Sequence, residues 1–195
     1  MATKTYQQLI EETRDPAAKT AKSIEWLLQQ TGRTVASLSP STVMEMGRER
    51  FTRNIEIGQM YMFVYDPKMK KELPYYDRFP LIFPFQKADN GFYGINMHYL
   101  PYQMRARLMD QLYTVANNTN NNESTKLMLS YKILSSASQF KYFRPCVKQY
   151  LNNHVKSRFL LVPANMWDRV LFLPLERFAK ASKTKVFQDS SDMLR

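Results

Sequence analysis

The densest chemistry in this 195-residue sequence is cationic. Between Lys126 and Lys185 there are twelve Lys or Arg but only two acids, Asp168 and Glu176, and Phe140, Tyr142, Phe143 and Tyr150 are interleaved with them. Cations at such density displace the counterions of a phosphate backbone, and rings among them hold the stems in place or stack on exposed bases. Lys141, Arg144 and Lys148 recur three and four residues apart, so a helix through them would carry all three on one stripe. Lys156 and Arg158 extend this segment, and Arg48, Arg50 and Arg53 form a second cluster upstream. Two other readings stay open. Aromatics at this spacing also build cores, with the cations covering them by their stems, and Arg, Met and aromatic residues also suit protein assembly.

Catalytic chemistry finds less material. There is no Gly-x-Ser-x-Gly elbow, and Cys146 lies eight residues before His154, a spacing that does not bring them to one helix face. Cys146 is therefore expected as a small buried side chain. Five glycines and no Gly-x-x-x-x-Gly-Lys motif leave little for a phosphate cradle. One Cys and two His exclude a disulfide framework and a Cys-based zinc cage. Asp66, Glu72, Asp77 and Asp89, near Lys68, Lys70 and Lys71, could form a metal-dependent nuclease site. They read better as caps and surface pairs, and His98 and His154 as structural hydrogen-bonding residues. No catalytic residue, metal or cofactor is expected.

The elements that must position the cations follow from composition and period. With 44% hydrophobic residues the chain is globular, and no apolar run approaches the roughly 18 residues needed to span a bilayer. Met1-Ala2-Thr3-Lys4-Thr5 lacks the apolar core of a signal peptide, so a soluble, intracellularly made protein with no membrane partner is expected. The net charge of +11 is uneven: residues 117–195 carry thirteen basic and five acidic side chains. Most of the positive field thus belongs to the C-terminal part.

The expected architecture is a single α+β domain over 1–195. Residues 1–55 read as helices: one over Thr5–Thr13, one opened by Asp15-Pro16 and stopped near Gly32, and one opened by Ser39-Pro40 that runs to Arg53. Residues 57–99 read as a small antiparallel sheet: Ile57–Tyr65, then Phe79–Phe85 as an edge or irregular strand because of Pro80 and Pro84, then Phe92–His98 after the Asp89-Asn90-Gly91 turn. Residues 100–184 read as helical and basic, and 185–195 as a polar tail. Helices are expected at Tyr102–Val115, with Met104, Leu108, Leu112 and Val115 inward and Arg105 off that face, at Ser124–Ser138, and at about Cys146–His154. Arg158–Val162 reads as a strand, and Pro163 opens a turn or short helix with Trp167.

Three strings stand out as a set: Tyr61-Met62-Phe63-Val64-Tyr65-Asp66-Pro67-Lys68, Leu73-Pro74-Tyr75-Tyr76-Asp77-Arg78-Phe79-Pro80-Leu81 and Gly91-Phe92-Tyr93-Gly94-Ile95-Asn96-Met97-His98-Tyr99-Leu100-Pro101. With Phe143–Leu151 and Leu171–Phe178, they resemble the DNA end protector family of T4-like tailed phages. A head, neck or baseplate component of such phages is the alternative. The resemblance implies a non-enzymatic virion protein, made in the host cytoplasm, that binds the ends of packaged double-stranded DNA and shields them from host exonucleases. It also implies phage structural proteins as partners. Under that role Tyr142 and Phe143 are the rings placed to stack on a terminal base pair.

Overall fold

Residues 60–65 read Met, Tyr, Met, Phe, Val, Tyr, and their period of two divides them between the sheet's two faces. Met60 and Met62 enter one hydrophobic core, and Tyr61, Phe63 and Tyr65 enter another. The computed structural model describes residues 21–26, 29, 39–116, 118–139 and 141–193. Its main sheet has six strands: β1 (Phe51–Thr52), β2 (Met60–Met62), β4 (Leu81–Ala88), β5 (Gly91–Asn96), β6 (Val147–Leu151) and β7 (Phe159–Val162). Their order is β1-β7-β2-β4-β5-β6, antiparallel throughout. A two-stranded ribbon pairs β3 (Tyr76–Asp77) with β8 (Phe178–Ala179). The helices are α1 (Pro40–Met46), α2 (Tyr102–Ala116), α3 (Glu123–Gln139), α4 (Trp167–Val170) and α5 (Lys183–Asp192). The fold is α+β, and no helix among the described residues is long and apolar enough to cross a membrane.

Several local signals act as expected. Ser39 caps α1 by accepting from the Thr42 amide, with Pro40 at the first helical position. The Asp89-Asn90 turn closes the β4–β5 hairpin. Helix α3 starts at Glu123 and not with Ser124 as its cap; Asn122 instead accepts from the Thr125 amide. The Thr5–Thr13 helix, the Asp15-Pro16 start and the Gly32 stop lie outside the described residues, although residues 21–26 are helical.

Other expectations are corrected. The helix opened by Ser39 ends at Met46, and a 3-10 turn at Arg48–Arg50 leads into β1. The span read as a helix over Cys146–His154 is instead β6 between two 3-10 turns. Pro145 blocks helix continuation, and Val147 to Leu151 pair along the free edge of β5. Of the two readings of Phe79–Phe85, the irregular strand holds and the edge strand does not: β4 lies inside the sheet, with Pro84 at a register shift between Pro84 and Gln86. The supposed polar tail forms α5, capped by Ser182 and anchored by buried Val186. The sheet therefore takes strands from both sides of the span 57–99.

On one face of the sheet, Met60, Met62, Leu81, Phe83, Ile95 and Leu160 meet Leu108, Met109 and Leu112 of α2 and Leu134 and Ala137 of α3. Trp167 packs edge-on to Phe83 at 5.0 Å between ring centres and donates its indole N–H to the Val162 carbonyl at 2.8 Å. Arg105, expected off the apolar face of α2, is instead fully buried. Its Nε donates to the Leu100 carbonyl at 2.8 Å, its Nη1 to the Leu171 carbonyl at 2.7 Å, and its Nη2 to the His98 carbonyl at 3.3 Å and to the Glu176 carboxylate. The guanidinium also lies 4.6 Å from the Tyr102 ring centre. A buried cation is tolerated only when its donors are met and its charge is compensated, and this one satisfies both conditions.

Burial raises the Glu176 carboxyl, but Arg105, with His98 and Lys183, outweighs it and holds the group below its ordinary value of 4.5. Because the folded value is depressed, the pair's stabilisation is fully present above about pH 4.5 and is lost as pH falls through the lower folded value. Glu176→Gln should lower unfolding free energy by about 3–5 kcal/mol in urea melts near neutral pH, since it leaves a buried guanidinium without its counter-charge. The same variant should lose less stability than the parent when the melts are repeated at pH 3. An unchanged midpoint at neutral pH would contradict the role given to this pair.

Candidate nucleic-acid interface

The opposite face of the sheet is aromatic. Tyr61, Phe63, Tyr65, Ile82, Phe92, Tyr150 and Phe159 form its buried cluster, with Ile55, Val155 and Leu161 packed at its margin. Phe63 lies edge-on to Tyr150 at 5.3 Å and to Phe159 at 5.1 Å, and Phe92 stacks on Tyr150 at 5.5 Å. Gly91 makes the last contact possible: a Cβ there would collide with the Tyr150 carbonyl where β5 meets β6.

A buried polar chain anchors these rings from the side. Asp77 Oδ1 accepts from the Phe79 amide at 3.0 Å, and Oδ2 accepts from Asn96 Nδ2 at 3.2 Å and lies 2.7 Å from His98 Nδ1. Asn96 Nδ2 also donates to the Tyr150 hydroxyl at 3.0 Å, and Asn96 Oδ1 accepts from the His98 amide at 2.9 Å. Burial raises the Tyr150 phenol well above its ordinary value, so it stays neutral. Both histidines are structural, as expected: His154 Nδ1 donates to the Asp66 carbonyl at 2.8 Å. Cys146 is fully buried, as expected, and burial pushes its thiol up to about 12.

Above the aromatic cluster, residues 53–55, the tip of the β4–β5 hairpin and the segment 152–159 enclose a concavity of about 600 Å³. Phe92 and Phe159 form its floor. Exposed Arg53, Lys87 and Arg158 line it, and none of the described residues lining it is Asp or Glu. Asn54, Asn152 and Ser157 add polar groups.

Each cation reaches the concavity by a different device. Phe51 pairs with Leu160 and Thr52 with Phe159, so Arg53 and Arg158 are the next residues across from one another where β1 and β7 part. Lys87 arrives through the bulge. Ile82 and Pro84 of β4 face the aromatic side, opposite Asn96 and Gly94, and strict alternation would next turn Gln86 that way. The extra residue at Phe85 shifts the register, so Lys87 stands opposite Phe92 instead. The segment carrying Arg158 is tied to the continuation of β2. The Lys156 amide donates to the Val64 carbonyl at 2.8 Å, the Val64 amide to Ser157 Oγ at 2.9 Å, and the Asp66 amide to the His154 carbonyl at 3.1 Å.

The cations singled out in the sequence are thereby sorted. Arg53 and Arg158 meet at the concavity, and exposed Lys156 adjoins it. Arg48 instead pairs with Glu45 at 3.7 Å, and Arg50 packs on Met166 with Glu49 at 3.4 Å, so these three arginines are not one cluster. Lys141, Arg144 and Lys148 do not share a helical stripe, because a 3-10 turn ends at Cys146 and Lys148 belongs to β6. Arg144 is exposed. Lys148 is half-buried with its ammonium 4.3 Å from the Tyr99 ring centre, and burial lowers its pKa. Phe143 is packed against the main core, which removes it as a free stacking platform. The side chains of Lys141 and Tyr142 lie outside the described residues. Lys87 was not singled out from the sequence; the available signal was a proline within an interior strand, which marks a bulge and therefore a change of facing.

The carboxylates considered for a nuclease do not converge. Asp66 forms an exposed pair with Lys70 at 2.9 Å, Asp77 is buried against His98 and Asn96, and no group of three or more His, Cys, Asp or Glu suited to a metal occurs among the described residues.

The family described as phage T4 terminal DNA protecting protein matches residues 4–192. No curated protein and no solved structure matches the chain.

Each phosphate neutralised contributes about −0.9 to the slope of log affinity against log salt for duplex DNA. Changing Arg53, Lys87 and Arg158 together to Gln should therefore weaken binding to linear duplex and flatten that slope by about 2.7. Changing Arg48 and Arg144 to Gln should leave the slope close to that of the parent. The reverse ranking in salt titrations would show that the interface lies elsewhere.

Proposed function

The chain belongs to the phage T4 terminal DNA protecting protein family, and on that premise we propose that it binds the ends of packaged double-stranded DNA and shields them from host exonucleases. The observation that carries this reading is the family match over residues 4–192. The cation-rimmed concavity supports it. Capping an end requires phosphate neutralisation without base readout, and Arg53, Lys87 and Arg158 at a recess lined by no Asp or Glu among the described residues supply that chemistry.

In this reading the protein acts stoichiometrically. It occupies the end that a processive exonuclease must thread, and no bond in the DNA is made or broken. It travels in the virion with the chromosome. A second use, docking on phage structural proteins, is favoured by Met128 and Tyr131, which are exposed one helical turn apart on α3.

The test is direct. Linear duplex mixed with the protein and then challenged with a processive exonuclease should keep its ends, with protection rising to saturation as protein is added. The DNA should also stay intact with protein and Mg²⁺ alone. Digestion at the unprotected rate under conditions where the protein binds DNA would contradict end shielding.

A further inference from the structure

We propose that the concavity bounded by Arg53, Lys87 and Arg158 is a receptor for the terminal phosphate monoester of a DNA strand. This rests on the end-binding reading above and assigns the group on the end that is recognised.

The first observation is an unbalanced charge. Arg53 follows Thr52 and Arg158 precedes Phe159, the last pair of the β1–β7 ladder, so two like charges are brought to the same end of it. Lys87 is brought to the recess by the bulge in β4, and none of the described residues lining it is Asp or Glu. Several other cations do have an acidic partner, such as Arg48 with Glu45, Lys70 with Asp66, Lys126 with Glu123 and Lys185 with Asp189. Local repulsion without a partner marks a place where an anion from outside completes the structure.

The second observation is shape. The three cations line one recess of about 600 Å³. A backbone-tracking surface spreads its cations to match successive diesters, each with one negative charge. A recess with several cations around one space instead suits a group that projects from the end of a strand and carries more charge in one place. A phosphate monoester does so, with a charge of about −1.5 to −2 at neutral pH and three acceptor oxygens. Arginine provides planar forked donors for it, and the Asn54 and Asn152 amides add neutral ones.

The third observation concerns rigidity. The wall that carries Arg158 is bound to residues 64–66 by the hydrogen bonds of Val64, Asp66, His154 and Lys156. The floor is closed: Phe92 is 2% exposed and Phe159 9%. Little ring face is left for stacking a base, so recognition falls to the charged rim. A wall whose backbone is fixed before binding loses less freedom on binding.

The experiment measures affinity for three forms of one duplex: linear with 5′-phosphates, linear with 5′-hydroxyls, and covalently closed. The phosphorylated ends should bind about tenfold more tightly than the hydroxyl ends, the size of one charge-assisted hydrogen bond, and both should exceed the closed form. Lys87→Gln and Arg158→Gln, made singly at exposed positions and checked for unchanged circular dichroism, should each reduce the phosphate preference. Equal binding of phosphate and hydroxyl ends, both above the closed form, would overturn the monoester receptor while leaving end binding intact. Equal binding of all three forms would overturn end binding and the receptor with it. A phosphate preference retained undiminished in both variants would overturn the assignment to this recess.

Discussion

The fold is organised around a guanidinium that has no water. Arg105 is fully buried and spends its donors on three backbone carbonyls and one carboxylate. Those acceptors belong to two stretches distant in sequence: the turn after β5, and residues 171–176 between α4 and β8. An isolated cation in this position would be untenable, so the turn, the helix and the C-terminal segment must assemble together. Lys183 adds α5 to the arrangement, lying 3.7 Å from Glu176 and donating to the Tyr102 hydroxyl at 3.1 Å. The His98 carbonyl that accepts from Arg105 belongs to the residue whose ring meets Asp77, and Asp77 in turn holds Asn96 and, through it, Tyr150. One continuous chain of polar contacts therefore runs from the helical side of the sheet to its aromatic side.

That continuity matters because, among the described residues, the aromatic face is packed at its margin by Ile55, Val155 and Leu161 and not by a helix. Its rings are held edge to face by one another and by the Asp77–Asn96 chain. The result is a firm floor with cations around it, delivered by strand ends and a bulge. A protein that must hold a phosphate-bearing end without reading sequence needs this combination of fixed positive charge and a rigid support, and it needs no nucleophile or metal. Among the described cations are surface residues paired with acids, a buried structural arginine and three that line one recess.

Local features were legible in the sequence, and long-range ones were not. The Ser39-Pro40 helix start, the turn at Asp89-Asn90-Gly91, the extent of α2 and α3 and the burial of Cys146 follow from caps, turn chemistry and helical period, and the structure has them. The pairing of β6 with β5 depends on an open strand edge far away in the chain, so Val147–Leu151 looked like part of a helix. Arg105 looked like a surface residue because its compensating partners lie beyond α2. Arg53 and Arg158 were each recognisable as candidates, but their meeting follows from the β1–β7 register, which no local pattern reveals. Lys87 faces the recess only because one extra residue shifts the register of β4. The resemblance to DNA end protectors, carried by strings in the sheet and the C-terminal core, agrees with the family match over residues 4–192.

The central claim is spatial: the DNA end meets the aromatic face of the sheet at the recess among Arg53, Lys87 and Arg158. The most direct measurement is photocrosslinking from a reactive group placed on the terminal nucleotide of a linear duplex, with the attached peptides identified by mass spectrometry. The account predicts crosslinks within residues 53–55, 87–92 and 152–159, absent when the same group sits in the duplex interior. Crosslinks confined to residues 141–148, or equal labelling from terminal and interior positions, would contradict it.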